Sequence, residues 1–157
     1  MSKSIIDYIR QEGTIVVFDV DGVLAPYEWG VNQHCISDKL WDSILDNHED
    51  IYTRVQPVQT LLDFIHSKRP QDCYVCSRSA HAESAFKAKF CTDNYGIPEN
   101  HICLVDNKSD KLLFLNSLRD ELGIPESRIA IVEDTVKTLD EIAKDHDYIT
   151  VHISSFL

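Results

Sequence analysis

The sequence predicts an α/β domain, with a parallel sheet covered by helices on both faces, and three observations carry that expectation. Five short runs are nearly continuous in apolar and β-branched residues rather than alternating, the pattern of strands buried on both faces. Stretches with helical spacing fall between them, so strand and helix alternate along the chain. The length, 157 residues, suits one domain with a full core, and 43% hydrophobic with 26% charged residues is ordinary for a globular protein.

The first strand is "TIVVFD" (14–19). Ahead of it, "MSKSIIDYIRQEG" lacks the unbroken apolar segment of a signal peptide. After it, residues 25–54 are irregular except for "ISDKLWDSIL", which reads as one helix. That segment is too short for a domain and long enough for a flap or small cap, so 1–157 is read as a single core domain with 25–54 inserted. In "QPVQTLLDFIHSKRP", Val58, Leu61, Leu62 and Ile65 follow helical spacing, with Pro57 suited to the first turn and Pro70 as a stop. The second strand is "CYVCS" (73–77), followed by "SAHAESAFKAKF", where Ala82, Ala85, Phe86 and Phe90 are expected to share the buried face. The third is "ICLVD" (102–106). Its helix has Ser109 or Asp110 as cap, a face of Leu115, Leu118 and Leu122, and Gly123 and Pro125 as the end. The fourth is "RIAIVE" (128–133), then a helix expected to bury Val136, Leu139 and Ala143; "YITVHI" (148–153) is the fifth.

Charge narrows the function. Fifteen Lys plus Arg stand against 26 Asp plus Glu, a formal charge of −11 with no basic stripe. Such a surface repels nucleic acid and anionic membrane, and no run approaches the roughly 20 apolar residues of a membrane span. The expectation is a cytoplasmic protein with neither as partner. Five cysteines, an odd number mostly in apolar runs, suit reduced core thiols.

In a parallel sheet the functional residues collect beyond the carboxyl ends of the strands. The first strand here ends in Asp19 and Asp21, the second in Ser77 and Arg78, the fourth in Glu133 and Asp134. Lys111 opens the helix after the third strand, with Lys108 just before it. Carboxylates so crowded repel each other unless a cation joins them, and oxygen-only ligands favour a hard ion, Mg²⁺ being the natural candidate. A lysine and a serine hydroxyl beside it suit phosphate oxygens, so the set fits phosphoryl transfer. One aspartate can serve as nucleophile and the other as acid and base; Gly22 lets the backbone turn sharply after them.

These stretches resemble the motifs of the haloacid dehalogenase superfamily. "FDVDGVL" is similar to its DxDG(T/V) first motif, "YVCS" to its second, and "IVEDT" to its acidic fourth in the Glu-Asp form. For the third, the family's lysine stands twelve residues before the Gly of an "LGI" helix end, which matches Lys111 more closely than Lys108. The likeness runs from residue 14 to about 145, omitting the insertion. It implies a three-layer Rossmann-like fold with strand order 5-4-1-2-3. It also implies Asp19 as nucleophile and Asp21 as general acid and base, with the Asp21 main-chain carbonyl touching Mg²⁺. Ser77 and Lys111 would hold phosphate, and Asp19, Glu133 and Asp134 the metal. The second aspartate distinguishes the family's phosphatases from its dehalogenases. The resulting expectation is a Mg²⁺-dependent phosphomonoester hydrolase acting on a small phosphorylated substrate through an aspartyl-phosphate. Its site would be open enough for a bulky substrate, or for a partner subunit in a homo-oligomer, to cover it.

Competing readings are a phosphotransferase or phosphomutase, a receiver-like phospho-acceptor, and a non-catalytic binding relative. Arg78 is a candidate substrate contact and equally a solvated rim arginine. "CYVC" lies within a strand, where residues three apart face opposite ways, which argues against a redox or zinc pair. Tyr27, Trp29 and His34 either line the leaving-group pocket or, with Trp41, anchor the insertion.

Overall fold

The computed structural model describes residues 2–26 and 38–157. Tyr27, Trp29, His34 and Cys35 lie outside them. Five parallel strands, β1 (Ile15–Phe18), β2 (Cys73–Arg78), β3 (Ile102–Val105), β4 (Ile129–Glu133) and β5 (Ile149–His152), form one sheet in the order β3-β2-β1-β4-β5. Among the described residues six α-helices accompany them: α1 (Ser2–Arg10), α2 (Asp38–Asp46), α3 (Gln59–His66), α4 (Ser84–Tyr95), α5 (Asp110–Leu122) and α6 (Val136–Ala143).

Alternation along the central strand divides the core into two layers. Val16 and Phe18 point into one, with Ile9 of α1, Leu61 and Phe64 of α3, and Phe90 and Cys91 of α4. Ile15 and Val17 point into the other, with Leu115 and Leu118 of α5 and Leu139 and Ile142 of α6. The result is the three-layer α/β/α arrangement, in the strand order the motifs implied. Cys73 and Cys76 fall in opposite layers, as their strand spacing required; with Cys91 and Cys103 they are free thiols.

Three helix faces differ from expectation. On α4 the buried positions are Lys87, Phe90, Cys91 and Tyr95, preceded by Glu83 in a 3₁₀ turn, whereas Ala82 and Ala85 are exposed. Two members of the true face are charged, so apolar periodicity selects the wrong side. On α5 the face lies one turn nearer the start: Lys111, Leu115 and Leu118 are buried, and Leu122, in the last turn before the left-handed Gly123, is exposed. On α6 the face is rotated by a residue. Thr138, Leu139 and Ile142 are buried while Val136 and Ala143 are exposed, since the larger Ile142 removes more apolar area from water than an alanine. No helix among the described residues is long and apolar enough to cross a membrane.

Candidate active site

The central strand delivers Asp19 to the rim with little freedom. Its amide continues the ladder past the end of β1, donating to the Val132 carbonyl at 3.0 Å. A closed turn follows: Val23 and Ala25 amides donate to the Val20 carbonyl and the Gly22 amide to the Ala25 carbonyl, with Asp21 and Ala25 paired as a bridge. Gly22 has φ +81, and a Cβ there would stand 2.2 Å from Asp134 Oδ2. The glycine therefore supplies both the left-handed backbone and the space that Asp134 fills.

Asp19, Glu133 and Asp134 present oxygens within 4.8 Å of one another. Lys111 enters beside them from the first turn of α5, its Nζ 3.1 Å from Asp19 Oδ1 and 2.6 Å from Glu133 Oε2. Asp19, Glu133 and Lys111 are all buried. Burial alone would raise the Asp19 pKa; the Lys111 ammonium, with hydrogen bonds from Glu133 and the Val20 amide, overcomes this and holds it below the usual value. Burial pushes Glu133 up to about 9, and the charge of Asp19 adds to the rise. Lys111 is raised: burial opposes its charge, and the two carboxylates outweigh the burial. Asp19 and Glu133 thus share Lys111, with an Asp134 oxygen within 4.8 Å of theirs. A donor set of hard oxygens without His or Cys fits Mg²⁺.

Ser77, at the end of β2, is buried; its Oγ donates to the Arg78 carbonyl at 3.2 Å and accepts from Lys87 Nζ at 3.2 Å. The Arg78 side chain is exposed, its Nε donating to the Asp106 carbonyl at 3.3 Å. Asp21 turns away from the three-carboxylate cluster: Tyr52 Oη donates to its Oδ1 at 2.9 Å and Lys87 Nζ to its Oδ2 at 2.9 Å. A cavity of about 610 Å³ opens over all of this. Asp19, Asp21, Ser77, Arg78, Lys108, Lys111 and Asp134 line it from the sheet side, and Trp41, Asp42 and Leu45 of α2 from the insertion. The structure therefore brings Asp19, Asp21, Ser77, Arg78, Lys111 and Asp134 to one cavity, with Glu133 directly beneath through Lys111. Between the two lysines, Lys111 is the one in contact with Asp19; Lys108 is exposed at the mouth. Trp41 lines the cavity and also packs edge-on against Tyr52.

Sequence reasoning missed Lys87, Glu83 and Tyr52. A lysine and a glutamate four apart read as a solvated pair on an outer face. The available signal was that "ESAFKAKF" places Glu83 and Lys87 in step with Phe90 and Cys91.

No family model and no curated protein matches the sequence. Among solved structures, the chain is similar to the HAD domain of the effector protein Lem4 from Legionella pneumophila. An inactive mutant of it gives 10% identity, a TM-score of 0.49, and coverage of 90% of this chain and 84% of that one. A second Lem4 HAD-domain structure gives 11% identity, a TM-score of 0.47, and 90% and 86% coverage. A hypothetical protein from Xanthomonas campestris is 20% identical with a TM-score of 0.46, over 94% of this chain and 66% of that chain. The chain has a three-layer Rossmann-like α/β fold, with β1 central and the motif residues gathered at its carboxyl end.

Proposed function

We propose that the protein is a Mg²⁺-dependent phosphomonoester hydrolase that works through an aspartyl-phosphate on Asp19. The observation that carries this reading is the convergence of Asp19, Asp21, Ser77, Lys111 and Asp134 on one cavity, with Lys111 Nζ 3.1 Å from Asp19 Oδ1. Asp19 is held ionised, as an attacking carboxylate must be. Lys111 offsets the repulsion between that carboxylate and an incoming phosphate dianion. The Ser77 hydroxyl, fixed by Lys87, offers a hydrogen bond to a phosphate oxygen. Asp21 gives a proton to the leaving oxygen and then takes one from the water that cleaves the acyl phosphate. Asp19, Glu133, Asp134 and the Asp21 main-chain carbonyl would hold Mg²⁺, which when bound supplies further neutralisation of phosphoryl charge. Arg78, at the rim, is placed to meet the substrate beyond its phosphate.

The test is hydrolysis of 4-nitrophenyl phosphate with and without Mg²⁺. We expect metal-dependent turnover that Asp19→Asn lowers by about 10⁴-fold or more. Turnover that survives Asp19→Asn, or that ignores Mg²⁺, would overturn the reading.

A further inference from the structure

Both oxygens of Asp21 are held by side chains that belong to none of the four motifs. Tyr52, in the 3₁₀ turn Ile51–Arg54 of the insertion, donates to Oδ1 at 2.9 Å. Lys87, from the middle of α4, donates to Oδ2 at 2.9 Å and also reaches Ser77 Oγ at 3.2 Å and the Arg78 carbonyl at 2.6 Å, with Glu83 Oε1 3.6 Å away. Lys87 is completely buried. A lysine so placed costs several kcal/mol in lost hydration unless matched by well-placed acceptors, and here the acceptors are the machinery of the site.

The Tyr52 ring is equally constrained. It is buried between the edge of Trp41, 6.4 Å away at 86°, and the face of Phe90, 5.5 Å away at 32°. Trp41 lines the cavity where a leaving group would lie. The hydroxyl that meets Asp21 is thus carried on a ring braced by α4 on one side and by the substrate-facing helix α2 on the other.

Resting on the hydrolase reading above, we propose that Tyr52 and Lys87 form a clamp that positions the Asp21 carboxylate for proton transfer to the leaving group. The two arms differ in chemistry. An ammonium only donates, so it keeps Oδ2 the unprotonated oxygen. A phenol hydroxyl donates or accepts, so it serves Asp21 in both of its states and leaves Oδ1 to carry the proton in transit. Tyr52 is a positioning residue in this scheme, and through Trp41 it ties the geometry of the acid to the presence of a substrate.

The discriminating readout is dependence on the leaving group. A nitrophenolate departs without help, whereas an alkoxide needs a proton as its bond to phosphorus breaks. The value of kcat/KM reports formation of the aspartyl-phosphate, the step in which the leaving group departs. We would measure it for 4-nitrophenyl and 4-nitrobenzyl phosphate, which are close in size, with wild type, Tyr52→Phe and Asp21→Asn. Tyr52→Phe removes one oxygen and keeps the ring packing, so the fold stands. The expected result is a benzyl-to-phenyl ratio lowered about 10-fold or more by Tyr52→Phe, in the same direction as Asp21→Asn. A ratio within about twofold of wild type in Tyr52→Phe, while Asp21→Asn lowers it, overturns the clamp and leaves the hydrolase reading intact. A ratio that Asp21→Asn itself fails to lower overturns both the clamp and the proton-donor role beneath it.

Discussion

At the amino-terminal end of the sheet, Lys68 lies buried with its Nζ donating to the Ile9, Arg10 and Gln11 carbonyls at 2.9, 3.4 and 3.0 Å. It satisfies the last turn of α1, whose carbonyls have no partners within the helix. Beside it, buried Asp72 accepts from the Gly13 amide at 3.0 Å and pairs with Arg69, which in turn reaches Glu12. Every charge there has a complement in the chain. At the carboxyl-terminal rim the ratio differs: buried Asp19, Glu83 and Glu133 and half-buried Asp21 and Asp134 stand around buried Lys87 and Lys111. One end is closed electrostatically and holds the fold together. The other is left with more carboxylates than lysines, which is why Mg²⁺ is proposed there.

Four substitutions break or sharpen that contrast. The largest effect is expected of Gly22→Ala, whose Cβ would collide with the Asp134 carboxylate on a backbone at φ +81. Displacing that carboxylate by an ångström should lower turnover about 100-fold. The rise in Tm expected of the wild type on adding Mg²⁺ should vanish with it, as calorimetry with and without the metal would show. Lys68→Met should do the reverse. It strands the α1 carbonyls and costs about 2 kcal/mol in chemical denaturation, while kcat and the Mg²⁺-linked rise in Tm stay as they were.

The smallest effect concerns two glutamates of opposite sign. Glu126, at the closed end, is drawn down to about 2 by the Asp147 amide and by His146, and pairs also with Arg119. Its contribution to stability is complete above about 4.5, the ordinary value, and lost as pH falls toward 2. Glu133, at the rim, is raised to about 9, so its ionisation opposes folding and the penalty grows as pH rises from about 4.5 to 9. In metal-free protein, the Tm of Glu126→Gln should fall behind wild type as pH rises from 2 to 4.5. That of Glu133→Gln should gain on wild type between 4.5 and 9. Parallel profiles would mean the two ends are not wired differently after all.

The same contrast explains what was legible in the sequence. The five strands were found within a residue or two, because burial on both faces leaves an unbroken apolar run. The rim residues were legible because each stands at the end of such a run, where a parallel sheet places its chemistry. What escaped were charged residues inside helical periodicity. Lys87 and Glu83 are buried by partners more than fifty residues away or in a neighbouring turn, and nothing in an apolar pattern announces them. Tyr52 escaped for the same reason, since its meaning lies in a hydroxyl meeting Asp21 across 31 positions of chain. The helix α1 was not legible either; its apolar pattern of Ile5, Ile6 and Ile9 is short, and the Lys68 cap that completes it is distant in sequence.

The turn from Val20 to Ala25 closes on itself before the insertion departs, with Val20, Val23, Leu24 and Ala25 wholly buried. The backbone that carries Asp19 and Asp21 is therefore set before the insertion departs, and Tyr52 returns from the insertion to hold the Asp21 carboxylate. Loop-closure entropy grows only logarithmically, by about 0.6 kcal/mol for each doubling of length. In evolutionary terms, this is a socket: covers of different length and composition can be exchanged between residue 25 and the turn that carries Tyr52 while the two aspartates keep their geometry.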